Sequence, residues 1–195
     1  MTISVVPHSD LDTLHSRLLA EIPDGSSVLD VGAGLAKYHE LLIAKGCKLT
    51  LVDAHEPYLA ERAARFPAAA ESGQVVLMPR KATALPGSFY HNPFDVALAI
   101  DFIEHLDRDE ARAVVMELCF IAQKVILFTP EGNHPQTTDG YNMGGDHWQT
   151  HRSTWEADDP IFASFATECW LDFHRWASDK GCDPGAIWAV WERKS

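Results

Sequence analysis

At 195 residues the chain fits one ordinary domain with a buried core, and its 46% hydrophobic and 23% charged residues argue against wholesale disorder. Lys and Arg number 16 against 28 Asp and Glu, a formal charge of −12; such a surface repels phosphate backbones and anionic lipid, so neither a nucleic-acid nor a membrane partner is expected. No apolar run is long enough to span a bilayer, the stretch MTISVVPHSDLDTLHSRLL lacks the basic start and apolar core of a signal peptide, and Cys47, Cys119, Cys169 and Cys182 form no Cys-x-x-Cys pair, so the expectation is a cytoplasmic protein with reduced thiols.

In chain order, LDTLHSRLLAEI places Leu11, Leu14, Leu18 and Leu19 on one helical face and ends at PDG. SSVLDVGAG reads as a short buried strand running into a glycine turn, and AKYHELLIAKG as a helix closed by Gly46. KLTLVDA is a second strand, and PYLAERAARF a helix with Pro57 in its first turn. QVVLM and FDVALAI are the third and fourth strands, RDEARAVVMELCFIA a helix and KVILFTP the fifth strand. Aliphatic strands alternating with helices imply a parallel sheet covered on both faces, an α/β doubly wound, Rossmann-like sandwich. In the tail, DDPIFASFATECW reads as a helix, and WLDFHRW and AIWAVWERK as two strands of a C-terminal antiparallel hairpin.

Ligands of such sheets sit beyond the carboxyl ends of the strands, where strand order reverses. Gly32 and Gly34, after the first strand, leave room for a ligand against the backbone and permit φ > 0. Asp53, at the tip of the second strand, is suited to accept the hydroxyl hydrogens of a ribose, and its position before Pro57 also suits a helix N-cap. A nicotinamide dinucleotide would fit both features, but its fingerprint has a third glycine where GAGLAK has Lys37.

The motifs VLDVGAG, LVDA, FDVALAIDFIEHL and KVILFTPEG, in that order and spacing, resemble the class I S-adenosylmethionine-dependent methyltransferases over roughly Ser26 to Gly132. The resemblance implies a seven-stranded sheet whose last strand is antiparallel. It implies that Asp30 and the turn Gly32-Ala33-Gly34 face the methionine portion of the cofactor, that Asp53 with Ala54 holds the ribose, and that Asp101, Phe102, Ile103, Glu104 and His105 line the methyl-transfer site. One departure concerns adenine. The family often places a carboxylate after the third strand, whereas PRKATALP puts Lys81 there, and an ammonium only donates. Ala82 and nearby backbone groups are then expected to recognise the base.

After the fifth strand comes TPEGNHPQTTDGYNMGGDHWQTHRSTW, long and rich in glycine, histidine and tryptophan. It is expected to form a substrate lid over the same rim, with His134, Tyr141, Trp148, Arg152 and Trp155 on the substrate side. His147 and His151 stand four apart, but a zinc-protease pattern needs Glu after the first, and Trp148 is there. No resident metal is therefore expected, although Asp101, Glu104, His105 and His134 would add ligands if the fold converged them. Two roles remain open for the histidines: hydrogen bonding to the lid backbone, or service as general base, with His147 and His151 first and His105 and Glu104 next.

The sequence thus reads as a single domain: residues 1–25 an N-terminal helix, 26–132 the cofactor-binding core, 133–157 the lid and 158–195 a helix and hairpin. The expected activity is methyl transfer from S-adenosylmethionine, leaving S-adenosylhomocysteine, to an oxygen or nitrogen of a small sugar, acid or secondary metabolite by a monomer or homodimer. A non-catalytic cofactor-binding subunit and a nicotinamide-dependent oxidoreductase are the alternatives.

Overall fold

The computed structural model describes residues 3–194. Its strands are β1 (Ile3–Val6), β2 (Ser27–Val31), β3 (Lys48–Asp53), β4 (Val75–Pro79), β5 (Phe94–Ile100), β6 (Ala122–Pro130), β7 (Ala166–Trp170) and β8 (Ala186–Glu192). They form one sheet in the order β1-β7-β8-β6-β5-β2-β3-β4. Only β8 runs against its neighbours, pairing antiparallel with both β6 and β7.

Period-two alternation in the strands divides the core into two layers. Val28, Leu98, Ile126 and Phe128 face one side. There they meet Leu14 and Leu18 of α1 (Leu11–Glu21), Leu42 of α2 (Tyr38–Ala44) and Leu59 of α3 (Glu56–Arg65). Leu29, Ala97, Ala99 and Leu127 face the other side, against Val114, Val115 and Leu118 of α5 (Arg108–Ile121). A short α4 (Pro67–Glu71) lies between α3 and β4. Helix boundaries follow local chemistry. Asp10 and Thr13 cap α1 reciprocally, with Thr13 N donating to Asp10 Oδ1 at 2.8 Å. Gly46, at φ +75°, follows the C-cap of α2 in the left-handed region that its missing Cβ permits.

Three expectations are corrected at the chain's two ends. The sheet has eight strands because Ile3–Val6 adds in parallel to β7. DDPIFASFATECW is not a helix: Pro160–Phe162 form one 3-10 turn, and Ala166–Trp170 are the strand β7. Thr167 and Trp170 are buried on opposite faces of β7, and pairing with β1 and β8 satisfies its backbone, so tertiary context overrides the helical reading. WLDFHRW contributes only Trp170 to a strand, and the chain from Leu171 to Gly185 is a turn-rich excursion containing a 3-10 segment, Arg175–Lys180. Among the described residues, no helix is long and apolar enough to cross a membrane.

Strand order reverses between β2 and β5, which are neighbours although β3 and β4 intervene in sequence. The loops after β2 and β5 therefore diverge and leave a crevice.

Candidate active site

The turn after β2 forms the floor of the crevice. Gly32 and Gly34 have φ of +68° and +48°, and Gly32 N and Ala33 N donate to Val52 O of β3 at 2.9 and 3.1 Å. A Cβ on Gly32 would stand 2.0 Å from Phe102 Cδ2, so the aromatic ring lies directly on the glycine backbone. Asp53 is buried. Its Oδ2 accepts Gly34 N at 2.9 Å and its Oδ1 accepts His55 N at 2.8 Å. Burial pushes its carboxyl up, opposed by those two N–H groups.

Two cavities open from this floor, and Gly32 and His105 line both. The smaller, about 100 Å³, is lined by Asp53, Ala54, Lys81, Ala82, Phe102 and, from the lid, Trp148. The larger, about 440 Å³, runs past Ala33, Gly34, Asp101, Glu104, His134 and His151. The sequence-selected residues fall on two sides of one crevice. Ala54, Lys81, Ala82 and Phe102 line the smaller cavity, and Ala33, Gly34 and Asp101 the larger.

Asp30 departs from its expected place. It is 1% exposed and lines neither cavity. Its Oδ2 accepts Tyr38 Oη at 2.9 Å and stands 2.7 Å from His39 Nε2. The carboxylate thus ties α2 beneath the glycine turn. Lys81 lies beside the smaller cavity with its ammonium 5.4 Å from the Trp148 ring centroid, a cation–π contact joining the loop after β4 to the lid.

The segment after β5 carries the densest group of titratable side chains. Asp101 adopts φ +48°, a left-handed conformation that costs a non-glycine residue energy and recurs at functional sites. Asp101 is exposed and lines the larger cavity; the protein crowded around its carboxyl, and then the Glu104 carboxylate, raise that carboxyl above its ordinary value. Glu104 is buried and accepts Thr129 Oγ1 at 2.8 Å; burial raises its carboxyl to about 7 against that hydrogen bond. His105 Nδ1 faces Thr150 O at 3.4 Å, and its ring meets that of His151 edge-on at 4.8 Å between centroids. His151 Nδ1 donates to His134 O. Burial, and secondly His105, lower the His151 imidazole to about 4. Desolvation likewise lowers His105 and His134, so these rings are neutral near pH 7.

The expected lid, residues 133–157, folds back onto this segment. Arg152 N and Ser153 N donate to Glu104 O at 2.7 and 3.1 Å, and Ser153 Oγ donates to Ile103 O at 3.2 Å. Within the lid, Asp139 gathers the N–H groups of Tyr141, Met143 and Gly145 at 2.8, 2.7 and 3.1 Å. His55 Nε2 lies 2.9 Å from Met143 O, which fastens the lid to the start of α3. His134 and Tyr141 line the larger cavity, whereas His147, Trp148 and Arg152 line the smaller. His147 is exposed, with Arg152 Nη2 2.8 Å from its carbonyl. Trp155 is not at the crevice. It is fully buried in the core, packed on Phe162 and capped by the Arg108 guanidinium at 4.5 Å.

Sequence reasoning passed over His55, Tyr58, Thr129, Asp139 and His174. Asp139 had a local signal, an aspartate followed by Gly140, Gly144 and Gly145, the composition of a side-chain-nucleated turn. Thr129 and His174 had none, because their partners lie far away in sequence.

A doubly wound sheet with a glycine turn after its first central strand, a carboxylate at the next strand tip and a crevice between them is an arrangement suited to a nucleotide cofactor. Residues 28–123 match the family described as methyltransferase domain, and the chain carries a class I S-adenosylmethionine-dependent methyltransferase domain. No curated protein matches the chain in sequence. Among solved structures, it is similar to the N-methyltransferase NodS from Bradyrhizobium japonicum WM9, at 13% identity and a TM-score of 0.67 over 95% of this chain and 97% of that one. It is also similar to magnesium protoporphyrin IX methyltransferase from Synechocystis PCC 6803 with bound S-adenosylhomocysteine, at 19% identity and a TM-score of 0.64 over 94% and 81% of the two chains. A third similarity is to the small RNA methyltransferase HEN1, at 13% identity and a TM-score of 0.65, covering 95% of this chain but 25% of that one. At these identities the likeness is one of fold.

Proposed function

We propose that the protein transfers the methyl group of S-adenosylmethionine to an oxygen or nitrogen of a small-molecule acceptor. The observation that carries this reading is the cavity of about 440 Å³, whose walls include the glycine turn on one side and Asp101, Glu104 and His151 on another. The adenosine of the cofactor would occupy the smaller cavity, its ribose toward Asp53 and its base between Ala54, Ala82 and Phe102. The methionine portion would cross Gly32 into the larger one. The net charge of −12 and the enclosure of the acceptor side by the lid support a small acceptor. The free cysteines support a reducing, cytoplasmic setting.

The sulfonium supplies the activation, so the chain's task is alignment and exclusion of water. Bound S-adenosylmethionine, held between the glycine turn and Asp53, would supply an activated methyl group to the lone pair of an acceptor lodged in the larger cavity. The acceptor's proton passes to the cluster of Asp101, Glu104, His105 and His151, in which both imidazoles are lowered and both carboxyls raised from their ordinary values.

Calorimetric titration with S-adenosylhomocysteine, with NAD as control, tests the cofactor assignment. Micromolar binding of the first alone supports the reading, and turnover of small hydroxyl or amine acceptors then completes it. Binding of NAD alone would replace it by the oxidoreductase reading.

A further inference from the structure

We infer that Glu104, His105 and His151 form a binding site for one divalent first-row transition-metal ion in the larger cavity, able to take an oxygen of the acceptor as an exchangeable ligand. This inference deepens the methyltransferase reading and rests on it for the acceptor, though not for the ion.

The three side chains offer an N2O donor set. One potential ligand atom from each of the three residues lies within 4.8 Å of the others. With metal–ligand bonds of roughly 2.0–2.2 Å, neighbouring ligands of one ion stand roughly 3–3.6 Å apart, so the three side chains close the set by drawing together by about an ångström. Glu104 and His105 are adjacent on the 3-10 turn Ile103–His105, and His151 is brought over from the lid. The lid is held there by main-chain hydrogen bonds from Arg152 and Ser153 to Glu104 O, so the third ligand does not depend on a flexible side chain alone.

The surroundings match what metal sites need around their ligands. A carbonyl oxygen can only accept, so the contacts of His151 Nδ1 with His134 O and of His105 Nδ1 with Thr150 O put the proton on Nδ1. Each ring then carries its lone pair on Nε2. Backbone carbonyls fixing histidine tautomers in this way are the usual outer support of ligating imidazoles. Thr129 Oγ1 likewise orients the Glu104 carboxylate at 2.8 Å.

A second, independent feature points the same way. Both ring nitrogens of His134 are shielded from solvent without a hydrogen-bond partner, and the ring lies 5.9 Å from that of His151 and 4.6 Å from that of His174. His174 in turn has Nδ1 at 3.1 Å from Gly185 O. Neutral imidazoles with unspent lone pairs crowd one wall of the larger cavity, and all three rings line it. A mixed set of two imidazoles and one carboxylate favours Mn²⁺, Fe²⁺, Co²⁺ or Zn²⁺ over Ca²⁺ or Mg²⁺, which prefer all-oxygen shells. With Glu104, His105 and His151 occupied, Asp101 remains open to the cavity as the group that takes the acceptor's proton.

The test is titration of the metal-stripped full chain with Co²⁺, read by visible d–d absorption and by calorimetry. One Co²⁺ per chain is expected. Glu104→Gln, His105→Ala and His151→Ala should each weaken it at least 10-fold, Thr129→Val roughly 10- to 100-fold, and His91→Ala, an exposed histidine elsewhere, should leave it unchanged. Each variant is titrated in parallel with S-adenosylhomocysteine, so that retained cofactor binding certifies the fold. Absence of Co²⁺ binding by wild-type protein that binds S-adenosylhomocysteine overturns the inference, as does Co²⁺ binding unaltered in His105→Ala and His151→Ala. Co²⁺ binding lost in those variants, in protein that ignores S-adenosylhomocysteine, would uphold the metal site and remove the methyltransferase reading.

Discussion

Asp53 Oδ2 accepts the N–H of Gly34 at 2.9 Å, across 19 residues of sequence. The bond joins the tip of β3 to the turn after β2, the two places from which a nucleotide cofactor would be held. A carboxylate offers about four lone-pair sites, and the contacts with Gly34 and His55 use one on each oxygen. Capacity is left for a ribose diol. The N-cap reading is answered as well: His55, not Asp53, stands at the N-cap of α3, and it makes no side-chain cap bond there.

Asp53→Ala therefore removes both the tie to the glycine turn and the proposed diol acceptor. Affinity for S-adenosylhomocysteine should fall by roughly 1–3 kcal/mol, the usual cost of deleting a charged hydrogen-bond partner. Calorimetry of a variant with native circular dichroism gives the answer. Unchanged affinity would take Asp53 out of the ribose site and leave it a purely structural tie.

Gly32→Ala places a methyl 2.0 Å from the Phe102 ring at a backbone φ of +68°. Both the clash and the conformation oppose it. Binding of S-adenosylhomocysteine should drop by more than 10-fold and the melting temperature should fall. Adding Phe102→Ala should recover part of the melting temperature, since the ring is then gone, but not the strain at φ +68°. Equal melting temperatures for single and double variants would show that the ring moves aside freely.

The lid reaches the smaller cavity through Trp148, with Lys81 5.4 Å from its ring centroid. Trp148→Ala should weaken adenosine and S-adenosylhomocysteine by similar factors, because the lost wall belongs to the smaller cavity that it lines. Competition titrations measure both. A variant that loses S-adenosylhomocysteine while keeping adenosine would relocate Trp148 to the methionine or acceptor side.

What was legible in the sequence follows from the range of the interactions. β2 to β6 and their helices were readable because Val96 to Ile100 is an apolar run ended by aspartate and the mainly apolar Val28 to Val31 is ended by glycine, signals contained in a few residues. β1 and β7 were not, since Val5 is 58% exposed and Glu168 and Cys169 interrupt the apolar pattern. Their reason to be strands is each other, more than 160 residues apart. The site divides similarly. Gly32, Gly34 and Asp53 announced themselves by following strands. The contact of His151 with His105, and the burial of Trp155 beneath Arg108, depend on how the lid returns to α5 and the turn before it, which no local pattern encodes.

Asp139 is the lid's internal anchor, and its charge can be tested by pH. Burial alone would raise its carboxyl, but the Tyr58 hydroxyl beside it and the N–H groups of Tyr141, Met143 and Gly145 outweigh that and hold it at about 2. The folded value lies below the unfolded 3.8, so the ionised carboxylate stabilises the fold above that value, and the contribution is lost as pH falls through about 2. Asp139→Asn loses the charge at every pH. Its deficit in stability, roughly 1–3 kcal/mol, should be fully present above about pH 4 and shrink steadily below it. Melting curves of both proteins at a series of pH values measure the difference directly. For a chain of this size the gap near neutrality amounts to a few degrees, at roughly 2–4 °C per kcal/mol. A gap that stayed constant down to pH 2 would mean that the lid is held by shape and backbone contacts, with the Asp139 charge contributing nothing.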